Sequence, residues 1–233
     1  YQRARDAVLR MKQGASSAGA SRYWAEELGN IDYLLEASPL IIAKLRHHAF
    51  HITNLRPYDY RDKGDRRDRF VARLRAHGAH DGGRLRVPEW PALGGFGFEI
   101  DGALYNVDTL KFYEVLLGME RAGLLEPFRN GTRRTVWEIG AGWGGFAYQF
   151  KTLFPGTTYV ITDFPELFLF SATYLQTVFP GASVHFVGTG GEDDPSAWTA
   201  HDFVFVPNTH AERLASALTA AGVAYCWGHD ADL

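Results

Sequence analysis

Apolar residues recur along this chain at two periods, and the change from one to the other divides it. From Ser21 to Ala37, Trp24, Leu28, Ile31, Leu34 and Leu35 stand at helical spacing. Ser38-Pro39 closes that helix and opens a second, over about Leu40 to Ile52. Residues 1–14 extend a further helix, and the small-residue run from Gly14 to Ala20 reads as a break. Past Asp81-Gly82-Gly83 and the extended stretch of Pro88 and Pro91, the pattern becomes short apolar runs separated by helices. Phe96–Ile100 and Ala103–Val107 flank Asp101-Gly102, a two-residue hairpin signal. Asp108 is placed to cap a helix carrying Leu110, Phe112, Val115, Leu116 and Met119. Strands follow at Thr135–Ile139, Thr158–Thr162, Ser183–Val187, Asp202–Val206 and Val223–Trp227, with helices at about Gly144–Phe154, Pro165–Phe179 and Ala211–Ala221. Such alternation predicts an α/β fold with a parallel sheet, preceded by a helical segment, with the boundary near residue 91: 1–91, then 92–233.

Composition adds a location and a charge asymmetry. A chain of 233 residues with 46% hydrophobic content is long enough to bury a full core. One cysteine, Cys226, leaves no internal disulfide framework and predicts a reducing, cytoplasmic setting. No apolar run approaches the roughly 20 residues of a membrane span, and no basic-then-apolar leader follows Tyr1. The net charge of −3 hides opposite halves. Residues 1–91 hold 17 Lys/Arg against 11 Asp/Glu, and the remainder holds 7 against 16. In the basic part, Arg56–Arg86, the interleaved Asp59, Asp62, Asp65 and Asp68 predict a solvated face with i, i+4 pairs, against the alternative of an anionic-substrate or nucleic-acid surface. The interruption by carboxylates disfavours nucleic acid as a partner.

The chemistry concentrates at Glu138-Ile-Gly140-Ala141-Gly142-Trp-Gly144-Gly145, a buried strand entering a glycine loop and then a helix. The glycines allow the turn, admit a ligand against bare backbone and point helix amides at it. The dinucleotide spacing G-x-G-x-x-G is met by Gly140, Gly142 and Gly145, but Glu138 argues against a pyrophosphate. A carboxylate there suits a ligand with a cationic end, such as the amino group and sulfonium of S-adenosylmethionine. Asp163, about 20 residues past the loop at the carboxyl end of the next strand, stands where a ribose presents two hydroxyls. Pro165 makes helix capping the plainer role for Asp163, and the two roles are compatible.

Those two stretches, with Phe164-Pro165-Glu166, resemble class I S-adenosylmethionine-dependent methyltransferases, and more narrowly the sugar O-methyltransferase family, over about Leu104 to Pro207. The resemblance implies a Rossmann-like sheet, S-adenosylmethionine as cofactor, and Glu138, Gly140, Ala141, Gly142, Gly144, Asp163, Phe164 and Asn208 around it, with Tyr105 and Asn106 near by. It implies methyl transfer to a hydroxyl of a sugar or glycosylated small molecule, with no nucleic acid and no membrane as partner. His210, just after the fourth strand, is the candidate general base, because imidazole titrates near neutral pH. Glu192 or Asp193 is placed to accept from an adenine amino group, although an acidic surface loop is the plainer reading. His47 and His51 stand one turn apart, but without the Glu of a metalloprotease helix or a second ligand cluster no metal is expected. A complete domain of that class has seven strands, and about two are missing after Val223–Trp227. That shortfall implies a truncated chain, a sheet completed by a partner or a second copy, or a cofactor-binding subunit without turnover.

Overall fold

The structure, a computed structural model, describes residues 1–14, 21–61, 64–190, 194–210 and 225–228. Its centre is a parallel five-stranded sheet in the order β5-β6-β4-β3-β7, built from β3 (Thr135–Ile139), β4 (Thr158–Asp163), β5 (Val184–Phe186), β6 (Phe203–Pro207) and β7 (Tyr225–Gly228). Of the three inner strands, β4 and β6 are buried at every position, as strands covered on both faces are, while β3 alternates. Alternation sorts their side chains. Tyr159, Ile161, Phe203 and Phe205 join the large core, while Val160, Val204 and Val206 meet Val187 and Trp198 on the other face.

The large core is covered by α8 (Gly145–Leu153) and α9 (Phe168–Val178), which follow β3 and β4, and by α7 (Val107–Arg121). The residues before 91 enter that same core. Leu28, Ile31, Leu34, Leu45 and Ala49 belong to one cluster with Phe146, Phe150 and Phe168, and α1 (Gln2–Gly14) lies against α9. Helix α6 (Asp65–Asp81) packs on α7, and its end is tied down by Asp81, whose carboxylate accepts from Gly83 N and Leu85 N at 2.8 Å and from the Tyr113 hydroxyl. Among the described residues no helix is long and apolar enough to cross a membrane.

Several elements depart from the sequence expectation, each for a local reason. The helix expected over Ser21–Ala37 is α2 (Arg22–Ile31) followed by a 3-10 turn, Asp32–Glu36. The one expected over Leu40–Ile52 is three short turns, α3 (Pro39–Ile42), α4 (Leu45–His48) and α5 (Phe50–Thr53), ended by Asn54 in the left-handed region at φ 56°. That winding path lets Arg46 and Ala49 turn inward beside Trp143. The hairpin is present as β1 (Phe98–Ile100) and β2 (Ala103–Tyr105), with Asp101 and Gly102 at φ 52° and 77°. Helix α7, however, is capped by Asn106, not Asp108. The Asn106 side chain accepts from Thr109 N while Thr109 Oγ1 accepts from Asn106 N, a reciprocal capping box. Asp108 is thereby left for another use. The 15–20 break, Glu192, Asp193 and the helix expected over Ala211–Ala221 lie outside the described residues.

Candidate functional site

At the carboxyl ends of β3 and β4 a cavity of about 230 Å³ opens on the glycine loop. Gly140 and Gly142 take φ of 75° and 56°, so an L side chain at either would strain the backbone. Gly140 N donates to Thr162 O at 2.8 Å, which pins the loop to β4. Asp163, 2% exposed, then holds the loop from the side. Its Oδ2 accepts from Gly142 N and its Oδ1 from Phe164 N, both at 2.8 Å. One carboxylate therefore sets both the glycine turn and the turn after β4, and it lines the cavity beside them.

The four glycines divide by purpose. Gly140 and Gly142 line the cavity with Ala141. Gly144, at φ 85°, instead allows α8 to approach α9: a Cβ there would lie 3.1 Å from the Ser171 Cβ. Gly145 makes room for Trp143, since its Cβ would fall 2.2 Å from the indole ring. Gly144 is thus a packing glycine and not the ligand-facing residue expected from the motif. The folded-back Trp143 ring reaches the opposite wall, where its Nε1 donates to Asp108 Oδ2 at 2.9 Å.

That wall comes from elements before β3. Trp24, Ile52, Thr53, Asp108, Lys111 and Phe112 complete the cavity with Phe164 and Leu167. Behind it lies a buried ionic group that no local sequence pattern announces. Arg46, 2% exposed, donates from Nε to Glu89 Oε1 at 2.8 Å and from Nη2 to Asp108 Oδ2 at 3.0 Å, with its guanidinium 3.6 Å over the Trp143 ring. Asn106 Nδ2 donates to the other Glu89 oxygen at 2.8 Å. Burial pushes the Glu89 carboxyl above its ordinary range, opposed by the Arg46 charge and the Asn106 amide. Two carboxylates share one guanidinium, and Asp108 is the one that reaches the cavity. Arg46 and Trp143 both bond its Oδ2.

Of the residues expected at the site, Gly140, Ala141, Gly142, Asp163 and Phe164 come together around the cavity. Glu138 does not line it. On β3 it shares the buried face with Val136, is fully enclosed, and acts on the Tyr159 phenol, whose titration burial and Glu138 both push well above the ordinary range. Tyr105 and Asn106 are buried away from the cavity, Asn106 in the cap and the Glu89 bond. Asn208 and His210 are displaced by the strand order. Because β6 pairs with β4, it stands two places from β3, and the His210 ring lies over Gly188, 3.5 Å from where a Cβ on that glycine would be, with Nδ1 3.1 Å from Thr209 Oγ1. Neither residue lines the cavity.

The histidines of the N-terminal segment have separate neighbours: His47 packs on Phe96 and against Gly94, and His48 bonds the Tyr33 hydroxyl. Burial lowers the pKa of both, with further lowering by Lys44 for His47 and by His51 for His48. Among the described residues no three His, Cys, Asp or Glu side chains converge as a metal set. Compared with known proteins, the chain matches no family profile, no curated protein and no solved structure.

Proposed function

We propose that this protein binds S-adenosylmethionine in the cavity over the glycine loop and transfers its methyl group to a hydroxyl of a sugar or glycosylated small molecule. The observation that carries the reading is the pairing of two carboxylates across one cavity: Asp163 at the end of β4, against the glycine loop, and Asp108 on the facing wall. A ribose needs an acceptor for its hydroxyls, which Asp163 supplies. The amino group and sulfonium need a carboxylate near by, and Asp108, which lines the cavity and is held by Arg46 and Trp143, supplies it. The pyrophosphate of a dinucleotide would meet both carboxylates. That disfavours a nicotinamide cofactor for the reason first attached to Glu138, now resting on residues that line the cavity.

The bound cofactor would supply an activated methyl group, which an acceptor hydroxyl oxygen would take in line as the carbon–sulfur electron pair returned to sulfur, the hydroxyl proton passing to solvent water. The cofactor carries the activated group, and the chain's task is to hold donor and acceptor in line. A second reading, a cofactor-binding subunit without turnover, is favoured by the position of His210 outside the cavity.

Calorimetry on the purified chain separates the cofactor classes. Saturable heats are expected with S-adenosylmethionine and with its demethylated product, and none with NAD. Binding of NAD alone at this loop overturns the reading.

A further inference from the structure

Helix α7 presents two faces to two hollows. Asp108, Lys111 and Phe112 line the cavity over the glycine loop, while Val107, Leu110 and again Lys111 line a second, larger hollow of about 420 Å³ against α6. Lys111 belongs to both. The floor of the second hollow is apolar, from Phe70, Leu110 and Val107, the last 45% exposed although it is an aliphatic side chain. Its rim carries more basic than acidic charge, from Arg69 and Arg73 one turn apart on α6 and Lys111 on α7, with Glu114 the one carboxylate among them.

The charges of this rim are not balanced from within. The sequence spacing predicts Asp65 with Arg69 as an i, i+4 pair, yet no ion pair joins two described residues of α6. Glu114 takes Arg73 at 2.7 Å and also holds His77. Arg69 and Lys111 have no carboxylate partner among the described residues, and they flank an apolar floor of a size suited to a small ligand. A merely solvated face has no need of such a floor.

We propose that this groove binds the methyl acceptor, and that the acceptor is an anionic sugar: a ring whose apolar face lies on Val107 and Leu110 and whose carboxylate or phosphate is held by Arg69 and Lys111. The inference rests on the methyl-transfer reading, and Lys111, which lines both the groove and the cofactor cavity, is the residue the two have in common. It assigns to α6, which carries no part of the glycine-loop motif, the selection of the substrate.

The test is calorimetry with glucose 6-phosphate, glucuronic acid and glucose. At least one of the two acids should bind more tightly than glucose by about tenfold, the worth of one charge-assisted hydrogen bond at a partly exposed site. The one that does identifies the anionic group as phosphate or carboxylate. Arg69→Glu should remove that advantage. Arg75→Glu makes the same charge change on the same helix, six positions on and outside the groove, and should leave it within about twofold. Equal affinity for the three sugars, or equal weakening by the two variants, overturns the proposal. So does a short single-stranded RNA that competes the sugar acid away and depends on both arginines, which would make the face a polyanion surface. Parallel titration of S-adenosylmethionine keeps the two readings apart. If the cofactor binds and no sugar acid does, only the groove is wrong; if a sugar acid binds through Arg69 and the cofactor does not bind, the methyl-transfer reading is wrong.

Discussion

The two walls of the cavity have different origins. The sheet wall, Gly140 to Gly142 with Asp163 and Phe164, comes from two consecutive strand ends whose residues lie about 20 positions apart. The facing wall, Trp24, Ile52, Thr53, Asp108 and Lys111, is gathered from three helices, and Asp108 is held there by Arg46 and Trp143, with Glu89 holding Arg46 from its other side. The first wall is made by backbone geometry and the second by a buried charge group. They should therefore fail differently: the sheet wall through shape, the helix wall through charge.

The largest effect belongs to the sheet wall. Gly142→Val puts a branched side chain at φ 56°, with its Cβ 3.6 Å from Ile52 Cδ1, where the cavity is narrow. Titration should find cofactor affinity reduced by about a hundredfold or more, while thermal unfolding stays cooperative. Unchanged affinity would show that the ligand does not approach the loop backbone.

Asp108→Asn is the matching change on the other wall, and it alters charge with little change of shape. Cofactor affinity should fall by about tenfold, as expected for one partly buried charge contact, and the loss should be greater for S-adenosylmethionine than for the neutral thioether product. Equal losses for the two ligands would mean that Asp108 does not face the sulfonium.

The smallest effect is expected at His210. Its ring rests on Gly188, outside the cavity, so His210→Ala should change turnover by less than about twofold. A fall of roughly 10²-fold or more, the usual worth of a general base, would bring the end of β6 into the chemistry and displace the present assignment.

How much of this was legible in the sequence follows the same division. Each sheet strand was recognisable from its apolar run, and the Asp101-Gly102 turn from the positive φ that both positions require. The meeting of the glycine loop with Asp163 was also legible, because β3 and β4 are sequential and pair in register from Thr135↔Thr158 to Ile139↔Thr162. Strand order was not. No local pattern tells that β6 inserts between β5 and β4, and this alone moves His210 and Asn208 off the site. Glu138 was assigned to the ligand from its spacing to Gly140, but strand alternation turns it inward with Val136. Asp108 was assigned to a helix cap, but Asn106, two positions earlier, takes that place by closing a reciprocal pair with Thr109. The available signal was Asn106 itself, as good a capping residue as Asp108 and with Thr109 three positions on. Arg46 had none, since its partners are 43 and 62 positions away.

The strand order also sets a sequence of events in folding. Pairing β3 with β4 closes a short stretch of chain, whereas pairing β3 with β7 joins Val136 to Tyr225 across the whole of α8, α9 and β6. The entropic cost of closure grows with the length enclosed, so contacts of high sequence separation form late. On a ribosome the delay is longer still, because β7 leaves the tunnel after every strand that it must join. Until then the outer edge of β3, the strand that leads into the glycine loop, presents an unpaired row of backbone amides and carbonyls. The nascent chain therefore carries β3, the strand before the glycine loop, as an exposed edge for as long as β7 is missing.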